Sequence, residues 1–365
     1  MSSPHPRPPV LTTPLDAHGA ITPAELERLG LEPEQVIDFS ANINPYGPPP
    51  EVRAALLDAP IHRYPDPDAL ALRRALSQRL DRPVDEIWPG NGASELIWLA
   101  ALAFLQAGDR VLMVAPAFGE YARAARLMAA EVIFWRASPE DDFAIHPDAI
   151  ASLLRAVSPR VVFLCHPNNP TGRLLPLDAL AQWVRTHTDA LFVVDEAYLP
   201  FAPGAASALT LNAENILVIR SMTKAYALAG LRLGYAVGPP VIIDALRRVQ
   251  PPWSVNVMAQ AAGVTALAAQ SQVQASLFRL QRDGRELVSA LRAAGWRPHS
   301  SATHYFLLPV GDAASFRAEL LARGVVVRDA TSFGLPGHVR IAARTPAENA
   351  RLLEVLHRYA DTLTH

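Results

Sequence analysis

The chain has 365 residues, of which 50% are hydrophobic and 19% charged, and its formal net charge is −2. This composition is typical of a globular protein with one large and one smaller domain, and it excludes general disorder. The near-neutral charge argues against nucleic acid as a partner. The single cysteine, Cys165, excludes an internal disulfide or a thiolate metal cage, and we expect no metal.

The N-terminal arm, residues 1–35, is rich in proline and carries a short helical pattern at Pro23–Gly30. Its first ten residues lack the apolar run of a signal peptide. The longest nearly apolar stretch, Ile97–Leu105, is about half the length that a membrane-spanning helix needs. We therefore expect a cytoplasmic protein without a membrane partner.

From about Ile87, apolar runs of strand length alternate with amphipathic helical patterns. The runs are Arg110–Ala115, Glu131–Trp135, Arg160–Cys165, Ala190–Asp195 and Asn215–Arg220. The helical patterns between them include Tyr121–Ala130, Pro147–Ala156 and Leu177–His187. Strands without polar alternation are typical of a mostly parallel sheet that is covered on both faces. The pattern predicts an α/β fold whose large domain, residues 36–255, has its chemistry at the carboxyl ends of the strands.

Residues 256–365 begin with a long helical stretch, rich in Ala and Leu, that runs to about Ala294. Strand patterns follow at Tyr305–Pro309, Val325–Arg328 and Val339–Ala342, and helical patterns at Ala313–Arg323 and Pro346–Tyr359. This section predicts a smaller α/β domain that closes on the large one.

Only one of the 33 basic residues, Lys224, is a lysine. Arginine cannot replace lysine where a reaction needs an amine that loses its proton, and lysine is the residue that forms Schiff bases. Retention of one surface lysine by chance is the alternative for this residue taken alone.

The residues around Lys224 are suited to binding a phosphate group. Ser221 and Thr223 precede the lysine directly after a predicted strand, and Arg232 follows it. Hydroxyl and guanidinium groups together form phosphate sites. A lysine beside such a site, at the end of a sheet strand, is the arrangement that pyridoxal phosphate requires.

Other predicted strand ends carry polar residues that fit the same cofactor. Asp195 ends an apolar run, and a buried carboxylate there would keep the ring nitrogen of the cofactor protonated, although Asp195 could simply cap a turn. Asn169 follows the strand that ends at Cys165, where its amide could donate to the ring oxygen. Ser94 begins a helical run that could receive the phosphate, unless it is only an N-cap.

Five motifs follow one another along the chain. They are, in order, Asn-Gly-Ala-Ser, Ala-Phe-Gly-Glu-Tyr, Pro-Asn-Asn-Pro-Thr-Gly, Asp-Glu-Ala-Tyr and Ser-Met-Thr-Lys-Ala-Tyr-Ala-Leu-Ala-Gly-Leu-Arg-Leu-Gly-Tyr. They resemble those of fold-type I pyridoxal-phosphate enzymes of the class I/II aminotransferase group, and the resemblance extends from about His18 onward. It implies that Lys224 is the Schiff-base lysine, Asp195 the partner of the ring nitrogen, and Tyr198 with Asn169 the ligands of the ring hydroxyl.

The same resemblance implies the remaining cofactor contacts and the assembly. The implied phosphate ligands are Ala93, Ser94, Ser221, Thr223 and Arg232. Phe118 would lie on the ring face with Tyr121 nearby. Enzymes of this group are dimers with shared active sites, and Tyr64 resembles the tyrosine that reaches the phosphate of the neighbouring subunit, although it could also be a surface loop residue.

Two subfamilies share this core, the histidinol-phosphate aminotransferases and the threonine-phosphate decarboxylases of cobalamin biosynthesis. The segment Ile37–Pro49 is similar to the decarboxylase pattern Asp-Phe-Ser-Ala-Asn-Ile-Asn-Pro, where the aminotransferases usually have Asn-Glu-Asn-Pro. His18-Gly19 resembles the His-Gly-Gly of the decarboxylases, with Ala20 in place of the second glycine. The resemblance implies substrate contacts at His18, Gly19 and Asn44.

The segments 327–329 and 339–349 also resemble the decarboxylases. They imply that Arg340 binds a substrate carboxylate and Arg328 a substrate phosphate, with help from Arg344 and His18. The expected reaction is decarboxylation of O-phospho-L-threonine to (R)-1-amino-2-propanol phosphate, and the alternative is a histidinol-phosphate aminotransferase or a related amino acid aminotransferase. The motifs leave both reactions open, because the bond that breaks depends on how the substrate is oriented.

Overall fold

The computed structural model describes residues 4–15 and 21–363. The strands are β1 (Ile37–Asp38), β2 (Ile87–Asn91), β3 (Arg110–Ala115), β4 (Glu131–Arg136), β5 (Val161–Cys165), β6 (Leu191–Asp195), β7 (Ile216–Ser221), β8 (Leu233–Val237), β9 (Tyr305–Pro309), β10 (Val325–Val326), β11 (Arg328–Asp329) and β12 (His338–Ala342). The helices are α1 (Pro8–Thr12), α2 (Pro23–Leu29), α3 (Pro50–Leu57), α4 (Leu70–Leu80), α5 (Ala93–Phe104), α6 (Glu120–Leu127), α7 (Pro147–Val157), α8 (Leu177–Thr186), α9 (Pro240–Val249), α10 (Val257–Ala268), α11 (Gln270–Ala293), α12 (Ala313–Leu321) and α13 (Pro346–Leu363). None of the helices within the described ranges has the length and apolar character needed to cross a bilayer.

A central seven-stranded sheet has the order β2-β8-β7-β6-β5-β3-β4. Strand β8 runs antiparallel to its two neighbours, and the other pairs are parallel. The prediction of an α/β fold with a mostly parallel sheet is therefore confirmed. Strands β2 and β8 were not among the predicted runs, because Pro89, Gly90 and Gly234 interrupt their apolar pattern.

Both faces of the sheet are covered by helices, and alternate residues of each strand supply the two cores. In β5, Val161 and Phe163 pack in the cluster that includes residues of α5, α6 and α9. Val162 and Leu164 pack in the opposite cluster, with residues of α7 and α8. Burial on both faces explains why these strands have continuous apolar sequences.

The smaller domain contains the antiparallel sheet β11-β12-β9. Strand β1 pairs with β10, so residues 37–38, which we expected in the large domain, pair with the C-terminal section. The strap, residues 39–46, then connects the two domains. The Phe39 carbonyl accepts a hydrogen bond from the Ala342 amide, and the Asn44 amide donates to the Lys224 carbonyl, at 2.9 and 3.1 Å.

Candidate active site

The carboxyl ends of the parallel strands bring the predicted cofactor residues together. Asp195 at the end of β6 is in register with Cys165 at the end of β5 and with Ile219 of β7. One pocket at this edge, the cofactor pocket, is lined by every predicted cofactor residue except Tyr64. These residues are Ala93, Ser94, Phe118, Tyr121, Asn169, Asp195, Tyr198, Ser221, Thr223, Lys224 and Arg232.

The carboxylate of Asp195 is buried at the base of this pocket. It accepts a hydrogen bond from the Tyr121 hydroxyl at 2.6 Å and another from the Ala197 amide at 2.9 Å. Burial raises the pKa of Asp195, and these two donors oppose the change because they stabilise the ionised form. Tyr121 is fixed in turn by stacking on Phe163, with 5.3 Å between ring centroids. A protonated ring nitrogen placed here would compensate for the desolvation of the carboxylate.

Lys224 lies on the other side of the pocket, with its Nζ atom 6.0 Å from the centre of the Tyr198 ring. Desolvation, together with the positive charges of Arg340 and Arg232, lowers the pKa of this amine to about 8. The neutral amine, which is the nucleophilic form, is therefore populated at a lower pH than in an ordinary lysine. Burial raises the pKa of Tyr198 to about 12, with Arg340 and Asn42 opposing the change, so its hydroxyl remains protonated near neutral pH.

The start of α5 and the guanidinium of Arg232 form a cradle for an anion. Gly92, with φ +82°, precedes α5, and a Cβ atom there would lie 2.6 Å from Nη2 of Arg232. Glycine thus allows the cation to approach the amide groups of the first helical turn, where an anion is favoured. The hydroxyls of Ser221 and Thr223 lie 2.6 Å apart in the same pocket. These donors fit the phosphate of pyridoxal phosphate.

A second cavity of about 490 Å³, the substrate cavity, adjoins the cofactor pocket and shares Lys224, Tyr198 and Arg232 with it. Arg340 and Arg328 both line this cavity. Arg340 is 5% exposed; it donates to the Asn169 side chain and, at 2.6 Å, to the Ser40 carbonyl. Its Nε atom has no partner within the described residues. Arg328 donates to Ser332 at 2.7 Å.

Several predicted substrate residues lie elsewhere. The Asn44 side chain donates to the Ala225 carbonyl and to Ser276, at 3.0 and 2.7 Å, and so attaches the strap to the segment of Lys224. The Arg344 guanidinium is bound to Glu348 at 2.7 Å and to the Asp38 carbonyl at 3.0 Å. Neither residue is among those that line the substrate cavity. His18 and Gly19 lie outside the described residues.

Tyr64 lies at the surface, 79% exposed, with its ring stacked on Trp253 at 4.5 Å between centroids. The predicted contact of Tyr64 with the cofactor phosphate of a neighbouring subunit remains a prediction.

Sequence reasoning missed Asn42, which is 1% exposed and lines the substrate cavity. No pattern in the strap sequence distinguishes Asn42 from Asn44. Successive side chains of an extended segment point to opposite sides, and residues two apart share a side only while the segment stays regular. The turn at residues 41–43, where the Ile43 amide donates to the Ala41 carbonyl, breaks that regularity. Asn42 therefore reaches the cavity while Asn44 packs against the Lys224 segment.

A sheet of this order, with a lysine after β7 and a buried aspartate at the end of β6, defines a fold-type I pyridoxal-phosphate enzyme. The chain belongs to the class I and II aminotransferase family, whose model matches residues 34–356. This confirms the predicted family and, at the level of the family, the predicted cofactor.

Individual proteins show the same relationship. The histidinol-phosphate aminotransferase of Halobacterium salinarum is 38% identical over 348 residues, which cover 92% of this chain and 93% of that protein. The structure of L-threonine-O-3-phosphate decarboxylase from Porphyromonas gingivalis superposes with a TM-score of 0.77 at 29% identity, covering 88% and 99% of the two chains. The histidinol-phosphate aminotransferase of Sinorhizobium meliloti, in complex with pyridoxal-5'-phosphate, has a TM-score of 0.86 at 22% identity, covering 98% and 99%, and shows the shared fold.

The expectation of a threonine-phosphate decarboxylase is wrong. Curated relatives with 35 to 38% identity, matched over at least 90% of this chain, are histidinol-phosphate aminotransferases. Asn44, one of the residues on which that expectation rested, has its side-chain amide occupied by Ala225 and Ser276.

Proposed function

We propose that this chain is a histidinol-phosphate aminotransferase, which transfers the amino group of histidinol phosphate to a 2-oxo acid such as 2-oxoglutarate. The observation that carries the proposal is the identity with curated histidinol-phosphate aminotransferases over most of the chain. The pair of arginines in the substrate cavity beside Lys224, Arg328 and Arg340, supports a substrate with acidic groups.

An aminotransferase must accept two substrates in turn at one site. Histidinol phosphate carries a phosphate, and 2-oxoglutarate carries two carboxylates, so each needs fixed cations. Guanidinium groups bind phosphate and carboxylate with the same paired donors. In this proposal Arg328 binds the phosphate of the first substrate, and Arg340 binds the α-carboxylate of the second.

The residues of the cofactor pocket fit pyridoxal phosphate, which supplies an electron sink for the pair left when a bond to the α-carbon breaks. Asp195 would hold the proton on the ring nitrogen, and Ser94, Thr223 and Arg232 would bind the phosphate. The α-carbon of histidinol phosphate has no carboxylate, so the bond to hydrogen is the one available for cleavage. The Lys224 amine would take that proton as a general base and hold it for its return. The amine substrate leaves as a ketone, and the oxo acid gains the nitrogen and two electrons.

The proposal includes a homodimer in which Tyr64 contributes to the active site of the neighbouring subunit. Two observations support it. Tyr64 and Trp253 form an exposed aromatic pair, 79% and 46% accessible, and exposed apolar clusters are typical of protein interfaces. Tyr64 is also absent from the residues that line the pocket of its own chain.

The direct test is incubation of the cofactor-loaded protein with histidinol phosphate and 2-oxoglutarate, followed by mass analysis. We expect glutamate and the ketone in equal amounts, and neither product with the Lys224→Ala variant. A parallel reaction contains O-phospho-L-threonine without an oxo acid. Loss of carbon dioxide there, with no glutamate in the first reaction, would refute the proposal.

The shared site has a separate test by subunit mixing. Tyr64→Ala and Lys224→Ala proteins are each expected to have low activity. Mixed dimers would contain one site with both native residues, so activity should reappear after the subunits exchange. Activity that stays at the sum of the two separate proteins, in samples where mass spectrometry confirms mixed dimers, would reject a contribution of Tyr64 across the interface.

A further inference from the structure

A third cavity, of about 530 Å³, lies between α11 and the segment 299–304. We call it the α11 groove. It shares no lining residue with the cofactor pocket or the substrate cavity. Arg285, Ser289 and Arg292 follow one another at helical spacing and form one wall, because residues three or four apart lie on the same face of a helix. The opposite wall includes Ser300, Thr303 and His304.

The walls of the α11 groove are positively charged. Arg285 and Arg292 both line it, and no aspartate or glutamate is among the lining residues. Within the described part of the chain, neither arginine forms an ion pair: the neighbouring Glu286 is bound to Arg282, and Asp142, next to the groove, is bound to Arg173 and His299. The groove therefore has two guanidinium groups available for an anion.

The inner end of the groove contains a buried polar group. His304 is 3% exposed, and neither of its ring nitrogens has a hydrogen-bond partner within the described residues. Its ring packs on Phe201 at 4.0 Å between centroids. Burial, with the charges of Arg340 and Lys224, lowers the pKa of His304 to about 3, so the ring is neutral and offers one donor and one acceptor. An unpaired buried polar group destabilises the fold, and a ligand that pairs with it recovers part of this free energy.

The spacing of the two arginines indicates the shape of the ligand. They are seven residues apart on α11, which corresponds to about 10 Å along the helix axis. An anion with acidic groups at both ends can pair with both guanidinium groups at once. Hydroxyls of Ser289 and Ser300 add donors to the groove.

We propose that the α11 groove binds an elongated organic anion with two acidic groups, a dicarboxylate or a bisphosphate, whose ends pair with Arg285 and Arg292 and whose polar middle reaches His304. This site is separate from the substrate cavity, and the inference does not depend on the proposed reaction. Phe201 contacts both His304 and Tyr198, with 4.0 and 6.3 Å between ring centroids. A ligand in the groove would therefore lie next to the wall of the active site.

The test is calorimetric titration of the cofactor-loaded protein with two probes, glucarate as a dicarboxylate with hydroxyls along its chain and fructose 1,6-bisphosphate as the bisphosphate. The test variant is Arg285→Gln/Arg292→Gln. The matched control is Arg248→Gln, which removes an exposed arginine of α9 outside the groove. Arg328→Gln tests whether a probe binds in the substrate cavity instead of the groove. A change in the visible absorbance of the cofactor would also indicate binding in the substrate cavity.

We expect at least one probe to bind the Arg328→Gln protein, whose substrate cavity has lost one of its anion ligands. Adding Arg248→Gln to this protein should leave the affinity unchanged, and adding Arg285→Gln/Arg292→Gln should lower it about tenfold or more. The probe that binds identifies the acidic group. His304→Phe, which keeps the ring contact with Phe201, should weaken binding by a smaller factor. The proposal is overturned if neither probe binds at millimolar concentration, if adding Arg285→Gln/Arg292→Gln leaves the affinity unchanged, or if binding is lost in Arg328→Gln instead.

Discussion

Arg328 of β11 lies directly opposite Arg340 of β12 in an antiparallel pair. Side chains at such positions share one face of the sheet, with their Cβ atoms about 5 Å apart. Both arginines are nearly buried, at 9% and 5% exposure, and both line the substrate cavity. The pair therefore presents two guanidinium groups to one cavity, which suits a substrate with acidic groups.

The first prediction concerns Arg328. In Arg328→Gln, the KM for the phosphorylated substrate should rise roughly thirtyfold, which corresponds to about 2 kcal/mol for a lost charged hydrogen bond. Steady-state kinetics measures this effect. Arg344→Gln is the matched control, since its guanidinium is bound to Glu348 outside the cavity, and an equal rise in KM for both variants would contradict the assignment.

The second prediction concerns the hydrogen bond from Tyr121 to Asp195. Tyr121→Phe should raise the pKa of Asp195 further, because one of the donors that stabilise its ionised form is removed. The affinity for pyridoxamine phosphate, which forms no imine with Lys224, should fall about tenfold, or about 1.4 kcal/mol. Equilibrium dialysis measures it. Tyr305→Phe is the control, since that buried hydroxyl donates to the Asn168 carbonyl, and an unchanged affinity in Tyr121→Phe would argue against this role.

The third prediction concerns the titration of Lys224. The cofactor-free protein, reductively methylated with ¹³C, should show one lysine signal whose NMR titration has its midpoint near pH 8. An ordinary lysine titrates near pH 10.4. Because Arg340 disfavours the protonated amine, Arg340→Gln should move the midpoint upward. A midpoint near 10 in the wild type would show that the amine is not desolvated.

The fourth prediction compares two glycines. Gly92→Ala and Gly108→Ala both place a side chain at positive φ, +82° and +86°, and each should destabilise the protein by about 1 kcal/mol. A Cβ atom at residue 92 also contacts Arg232, whereas one at residue 108 meets nothing within 4 Å. The affinity for pyridoxamine phosphate should therefore fall in Gly92→Ala alone. Equal affinities in the two variants would mean that Arg232 does not need its place beside α5.

Much of the cofactor pocket was predictable because its residues follow neighbouring parallel strands. Asp195, Asn169 and Ser221 were placed by local patterns of apolar residues, and the sheet then brought the strand ends together. The resemblance to known enzymes added Tyr198 and Phe118. The predicted strand Arg110–Ala115 matches β3, and Tyr305–Pro309 matches β9.

The substrate side was less predictable because it is formed by segments far apart in the chain. Asn44 contacts Ala225 and Ser276, across 181 and 232 residues, and Arg340 contacts Ser40 across 300. No local pattern records such contacts. The sequence similarity of the strap therefore could not distinguish Asn42, which lines the cavity, from Asn44, which holds the strap.

The sequence alone determined the chemistry that the cofactor pocket can support, since a single lysine, an aspartate at a strand end and phosphate donors near a helix start are properties of short segments. The tertiary structure decided which cations line the substrate cavity. Arg340 and Arg344 are four residues apart, yet the pairing of β12 with β9 and β11 places Arg340 in the cavity, while the start of α13 places Glu348 beside Arg344. The direction of each side chain is set by contacts between distant segments, and these exist only in the folded chain.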